Sequence, residues 1–180
     1  MDGSEWVHTS TAYVKPRSGG RGDAWSEEAA SRGRRGTQRI VRAGEIAAPE
    51  GVAALLGLSE GAAVVERRRV ILLDGAPVEL TDTYYPASFA RGTRLAETGK
   101  IPGGAVTLVA SLGRTGCRVR EEIRARLPTP SECEVLALTA RDPVLHLTRV
   151  TLDAGNEPFQ VDVSVFPAAT QRLRYEMRIG

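Results

Sequence analysis

The chain has 180 residues, 42% of them hydrophobic and 26% charged, with a net charge of +2. That is enough for one substantial core or two small ones, at the composition of an ordinary soluble globular protein. Two cysteines and two histidines exclude a disulfide framework and a zinc cage, and no stretch reaches the ~20 apolar residues of a membrane span. The N-terminus has neither the charged nor the apolar region of a signal peptide, so the expected address is cytoplasmic.

The first 36 residues are rich in Gly, Ser and Arg and read as an irregular basic arm. Within it, Ser26 before Glu27 and Glu28 reads as the cap of a short helix ending by Gly33. Trp6 and Trp25 point to an arm that packs on the domain or on a partner. The excess of basic residues lies in this quarter, and Arg32, Arg34, Arg35, Arg39 and Arg42 follow one another without an intervening acid. That run reads as a solvated loop ahead of a phosphate-contacting arm.

From residue 45 the pattern becomes regular. Pro49-Glu50 opens a helix with Val52, Leu55 and Leu56 on one face, and Gly57 stops it. Val64 to Leu73 is a strand, Asp74-Gly75 a two-residue hairpin turn, and Val78 to Tyr85 the returning strand, closed by Pro86. Ala105, Val106, Leu108, Val109 and Leu112 recur at helical spacing up to Gly113. Arg118 to Leu127 alternates and reads as a half-buried strand with a charged face. Thr129-Pro130-Ser131-Glu132 is a capping box with proline at the first helical position. Val144 to Leu152 and Phe159 to Phe166 are strands about an Ala154-Gly155-Asn156 turn, and Leu173 to Ile179 alternates as a last strand. Cys117 and Cys133 read as free, partly buried thiols, and His146 as a packed side chain.

This pattern occurs twice. A shift of 80 superimposes Leu56 on Leu136, Val64 on Val144, Arg69 on Arg149 and Gly75 on Gly155. A shift of 81 then superimposes Pro77 on Pro158, Tyr85 on Phe166 and Pro86 on Pro167. Two helix-and-hairpin halves predict an α+β fold, a mostly antiparallel sheet with helices on one side, and a ligand crevice near the pseudo-two-fold axis.

The ordered set Gly51 to Leu58, Glu66 to Val70, Asp74 to Glu79, Tyr84-Tyr85-Pro86, Glu121-Glu122-Ile123, Thr129 to Glu132, Pro143-Val144-Leu145 and Arg149-Val150 resembles the effector-binding (UTRA) domain of HutC-type GntR transcription regulators over residues 37–180. The resemblance implies a chorismate lyase-like fold, a homodimer and a small effector that alters DNA affinity. It also implies that Arg67 and Arg69 hold an anionic group and that Glu79 holds a polar one. Gly104, Gln160 and Phe166 depart from the residues that hold a sugar phosphate in this family. Read from the residues themselves, paired arginines favour a carboxylate or phosphate, and matched hydroxyls mark Thr83 and Ser164. Tyr85, Glu122 and Arg149 complete the candidate ligand-binding set, and ion pairing on a solvated sheet face is the competing reading for each charged member.

No catalytic residue, metal ligand or cofactor motif is assigned, and the first 40 residues are too few for a winged helix-turn-helix. The expected partners are a small-molecule effector, a second copy and a full-length GntR-type regulator, with DNA reached only through that partner and no membrane. The competing classes are a chorismate lyase-like enzyme and a ligand-free dimerisation module.

Overall fold

The computed structural model describes residues 5–14, 16 and 23–176. The elements in chain order are β1 (Trp6–His8), α1 (Thr11–Val14), α2 (Ala24–Ser31), β2 (Gly36–Ala47), α3 (Glu50–Leu56), β3 (Ala63–Leu73), β4 (Ala76–Pro86), α4 (Ala87–Ala90), a 3-10 turn (Arg94–Ala96), α5 (Ala105–Ser111), β5 (Arg118–Arg126), α6 (Pro130–Leu136), β6 (Val144–Leu152), β7 (Pro158–Pro167) and β8 (Gln171–Leu173). Six strands form one antiparallel sheet in the order β2-β3-β4-β7-β6-β5, and β1 pairs with β8 in a separate parallel ribbon.

The strand order is itself two-fold. At the centre, Leu80 pairs with Val165, Asp82 with Val163 and Tyr84 with Val161. A shift of 81 exchanges the first and last of these pairs, so the pseudo-axis passes through Asp82 and Val163. The duplication extends to irregularities: the register slips between Ile71 and Leu72 in one half and between Thr151 and Leu152 in the other. A bulge re-aims the residues beyond it, so both halves bend their hairpins at the same place. Helices α3 and α6 end alike too. Gly57 takes the left-handed conformation at φ 65°, and Ala137 takes it at φ 53° in the second half.

Val64 and Val65 are both fully buried and, as strand neighbours, point to opposite faces. One face packs Val64, Tyr84, Val150 and Val161 under Val52, Ala53 and Leu56 of α3, and Val144 and Val165 under Leu136 of α6. The other packs Val65, Tyr85 and Phe159 against Ala90 of α4, Leu95, Ile101 and Val109 of α5. Beside that second cluster, Trp6, Trp25 and Ala29 cover Ile71, Leu73 and Val78. The segment read as an irregular arm therefore holds a strand and two helices among its described residues.

Three local expectations are revised. Asp23, not Ser26, caps α2: its Oδ1 accepts the Ser26 amide at 2.9 Å. Gly36 to Ala47 is a strand, its period hidden by polar side chains such as Arg42, which pairs with Glu66 on the neighbouring strand. Strand β5 is exposed rather than half-buried, with Val119 37%, Ile123 40% and neighbouring Leu127 62% accessible, because it is a sheet edge whose apolar side no element covers among the described residues. The expected strand from Leu173 to Ile179 is also corrected: the strand is Gln171–Leu173, Arg174 to Glu176 are not strand, and Met177 to Ile179 lie outside the described residues. The thiols differ, Cys117 being exposed and Cys133 partly buried. His146 is half-buried, and desolvation holds its pKa below the usual imidazole range.

Candidate functional site

Period-two geometry selects what the second face presents. Arg67, Arg69 and Ile71 on β3, Thr81, Thr83 and Tyr85 on β4, and Asp162 and Ser164 on β7 share it with Arg149 on β6 and Glu121 on β5. Between the apolar cluster under α5 and the one under α2 this face is polar, and there a crevice of about 140 Å³ opens. Its floor is Arg69, Glu79, Thr81, Tyr85, Arg149, Gln160, Asp162 and Ser164; the start of α5 (Gly103 to Val106) forms one side, and Tyr13 with Asp23 to Trp25 forms the other.

The floor is a hydrogen-bonded chain. Arg69 Nη2 donates to Thr83 Oγ1 at 2.9 Å, and Thr83 Oγ1 donates to Asp162 Oδ1 at 2.7 Å. Gln160 Nε2 donates to the other Asp162 oxygen at 2.8 Å, and Ser164 Oγ donates to Thr81 Oγ1 at 2.9 Å. Arg149 is held from the opposite side: its Nε donates to Glu121 at 2.5 Å and its Nη2 to Ser10 Oγ at 3.0 Å. Burial is the largest single influence on this guanidinium and lowers its pKa, but neighbouring Asp162, Glu121 and Glu79 together outweigh it and the pKa is raised. The Tyr175 hydroxyl also reaches Glu121; burial first and this bond second push its pKa up to about 12. Arg69, by contrast, keeps a buried Nε with no hydrogen-bond partner among the described residues, and a buried unpaired donor costs ~1–3 kcal/mol.

Of the residues singled out in the sequence, Arg69, Glu79, Tyr85, Arg149 and Ser164 come together at the crevice, with Thr83 beneath Arg69. Arg67 does not join them. It is 3% exposed and donates to the carbonyls of Arg94, Leu95, Glu97 and Gly99 at 3.0, 2.9, 2.5 and 3.2 Å, pinning the loop after α4. Glu122 points to the opposite face from Glu121 and pairs with Arg124 on the exposed edge. Asp162 and Thr81 were not foreseen, and Gln160 entered only as a departure from the family's ligand-holding residues. Alternation from Glu79 reaches Thr81, and the repeat then reaches the others, since a shift of 81 carries Thr81 to Asp162 and Glu79 to Gln160. Tyr13, Asp23 and Trp25 carried no such signal.

The two-fold α+β sheet with this crevice has known counterparts. The family model of the UTRA domain matches residues 31–172. The chain belongs to the UTRA family. UTRA domains are the effector-binding domains of GntR-family transcription regulators, and the fold is the chorismate lyase-like one of that family. The chain is 31% identical to the HTH-type transcriptional repressor PhnF of Mycolicibacterium smegmatis over 130 residues, covering 72% of this chain and 52% of that protein. An HTH-type transcriptional regulator of Streptomyces coelicolor is 27% identical over 146 residues, covering 79% and 53%. The chain thus spans about half the length of the curated relatives it matches. Among solved structures, the effector domain of PhnF from Mycobacterium smegmatis superimposes with a TM-score of 0.74 at 27% identity, over 92% of this chain and 99% of that one. Among the described residues of this UTRA chain, no helix is long and apolar enough to cross a membrane.

Proposed function

We propose that this UTRA domain is the sensing half of a HutC-type GntR regulator and that its crevice binds a small effector through an anionic group. The observation that carries the reading is Arg69: a half-buried arginine on the crevice floor whose buried Nε has no partner among the described residues. A carboxylate or phosphate fits that fork in charge and geometry. Glu79, also on the floor, is the acceptor for a hydroxyl or ammonium elsewhere on the same molecule.

The response is proposed to run through a homodimer. Strand β5 supports this, because antiparallel pairing of two copies about Ile123 sets Glu122 against Arg124 and Val119 against Leu127, covering the three exposed apolar side chains. Light scattering on the intact chain is expected to give a dimer, and Ile123→Arg a monomer of unchanged circular dichroism. The same strand is available to a full-length regulator, so that effector occupancy here would reach DNA through a mixed dimer.

A thermal-shift screen of small carboxylates, phosphates and phosphate esters tests the effector. A true ligand at a hundredfold excess over its Kd adds ~2.7 kcal/mol of stability. That gain is expected to vanish in Arg69→Met. If no anion stabilises the protein, the ligand-free dimerisation module is the better reading; turnover of a stabilising compound would favour the enzyme.

A further inference from the structure

Arg69 and Glu79 lie on one face of one hairpin, yet they do not pair. Strands β3 and β4 set Arg69 opposite Thr81 and Ile71 opposite Glu79, so the arginine and the glutamate are diagonal neighbours on the crevice floor. Diagonal neighbours stand ~7–8 Å apart, within reach of two long side chains of opposite charge. Arg69 leans the other way instead: its Nη2 donates to Thr83 Oγ1, on the opposite diagonal, at 2.9 Å. Glu79 stays half-buried and makes no hydrogen bond or close ion pair among the described residues. A cation and an anion thus sit side by side in one cavity, each with bonding capacity left over.

The rest of the floor divides its charge in the same sense. Asp162, Glu121 and Glu79 all act on Arg149, and of these three carboxylates only Glu121 bonds to it. Asp162 gives its two oxygens to the neutral donors Thr83 and Gln160. Arg69 has a second cation, Arg67, beside it on its own strand face. The floor is therefore basic along β3 and acidic beyond it.

We propose that the effector is a small zwitterion, an amino carboxylate or amino phosphate ester whose anionic group lies on Arg69 and whose ammonium lies on Glu79. The inference rests on the crevice being the effector site and narrows its ligand to this class. The diagonal placement of the two side chains sets the scale: the ligand's charges are a few bonds apart, as in an amino acid. A bare anion on Arg69 meets the carboxylate of Glu79 beside it, and a bare amine on Glu79 meets Arg69. A zwitterion turns both contacts into attractions and makes charge-assisted hydrogen bonds at each end. A hydroxyl on Glu79 would leave the excess of acid uncompensated.

Calorimetric titration with matched probes tests the proposal: acetate against glycine, propionate against β-alanine, and butyrate against 4-aminobutyrate and glutarate. One amino carboxylate is expected to bind about tenfold or more tighter than its parent carboxylate, the size of one charge-assisted hydrogen bond. Glutarate, with a carboxylate where the ammonium would be, is expected to bind more weakly than butyrate. Glu79→Gln should abolish the advantage of the amine and strengthen glutarate, whereas Arg69→Met should weaken every probe. Equal binding of each amino carboxylate and its parent, or an advantage that survives Glu79→Gln, overturns the zwitterion and leaves the effector reading standing. Undiminished binding in Arg69→Met overturns the effector reading itself, and no binding by any amino carboxylate overturns the zwitterion as well. A ligand-free measurement stands beside these. In a Cys117→Ser, Cys133→Ser background, Ser164→Cys on the crevice floor reports the local field through its rates with anionic and cationic methanethiosulfonate reagents, followed by mass spectrometry. Glu79→Gln is expected to raise the anion-to-cation rate ratio several-fold and Arg69→Met to lower it. A ratio indifferent to Glu79→Gln means that this carboxylate is not presented to the crevice, and it overturns the proposal.

Discussion

Two arginines two residues apart on one strand face are expected to behave as opposites when each is replaced by methionine, which keeps the length and removes the charge. Arg67 supplies donors to four loop carbonyls from a position that is 3% exposed. Hydrogen bonds to a charged group are worth ~1.5–3 kcal/mol each, but they do not add, and relieving a guanidinium whose pKa burial already pushes down returns part of the loss. A net cost of ~3–4 kcal/mol remains, the range for breaking a buried network. At this chain length that lowers Tm by roughly 10 °C. Arg69→Met removes one bond to Thr83, worth ~1.5–3 kcal/mol, and also removes the buried orphan Nε, which costs ~1–3 kcal/mol. The two nearly cancel, and its stability should change by no more than ~1 kcal/mol. Urea denaturation of the two variants decides the matter. A loss under ~1 kcal/mol for Arg67→Met, or a large loss for Arg69→Met, would refute the division into one structural and one ligand-facing arginine.

Ala137→Gly is expected to stabilise by ~0.5–1 kcal/mol, because the equivalent helix end uses Gly57 for the same left-handed backbone; equal denaturation midpoints would count against it. Gly36→Ala should loosen α2, since a Cβ there would sit 2.8 Å from the Trp25 carbonyl and from Ala29 Cβ. A red-shifted tryptophan emission with a loss of ~1–3 kcal/mol is the expected sign. Glu132 is held below the usual carboxylate range by Arg126 first and by the Thr129 amide after it. A lowered folded pKa stabilises fully above the unfolded value near ~4.3, and that contribution is lost as pH falls from there through the lower folded value. The stability gap between the native chain and Glu132→Gln should therefore be full at neutral pH, begin to shrink near ~4.3 and close only below the folded value; a gap independent of pH would contradict the pairing.

The repeat made most of the sheet legible. Hairpin turns, terminal prolines and the Thr129 capping box are local signals, and they located α3, β3, β4, α6, β6 and β7. What the sequence hid depends on neighbours far along the chain. Strand β2 carries no clean alternation, because as an edge it needs to bury little. Arg67 and Arg69 are identical to any periodicity argument, and the loop that captures Arg67 lies about thirty residues away. Glu121 and Glu122 differ only in which face β5 turns to Arg149, a matter of register. The aromatic wall was invisible for a related reason: Tyr13 and Trp25 reach the crevice through a β1–β8 pairing between opposite ends of the chain.

Duplication followed by divergence explains why the crevice has a direction. Arg69 and Arg149 are equivalent, yet opposite Arg149 on the neighbouring strand stands Glu121, and opposite Arg69 stands Ile40. One arginine is neutralised by its own edge strand and the other is not. Restoring the symmetry should silence the site. In Ile40→Glu the new carboxylate lies across β2 and β3 from the Arg69 fork, as Glu121 lies from Arg149, and it would take the orphan Nε as its donor. Stability should change by no more than ~1 kcal/mol, since the pair is partly solvated and gains a bond as it loses apolar contact. Stabilisation by any anion that protects the native chain should disappear, because the ligand would now compete with a tethered carboxylate at high effective concentration. Calorimetric titration of the two proteins with that anion is the measurement. Undiminished binding by Ile40→Glu would mean that the anionic group is held elsewhere in the crevice, with Arg149 the remaining cation on its floor.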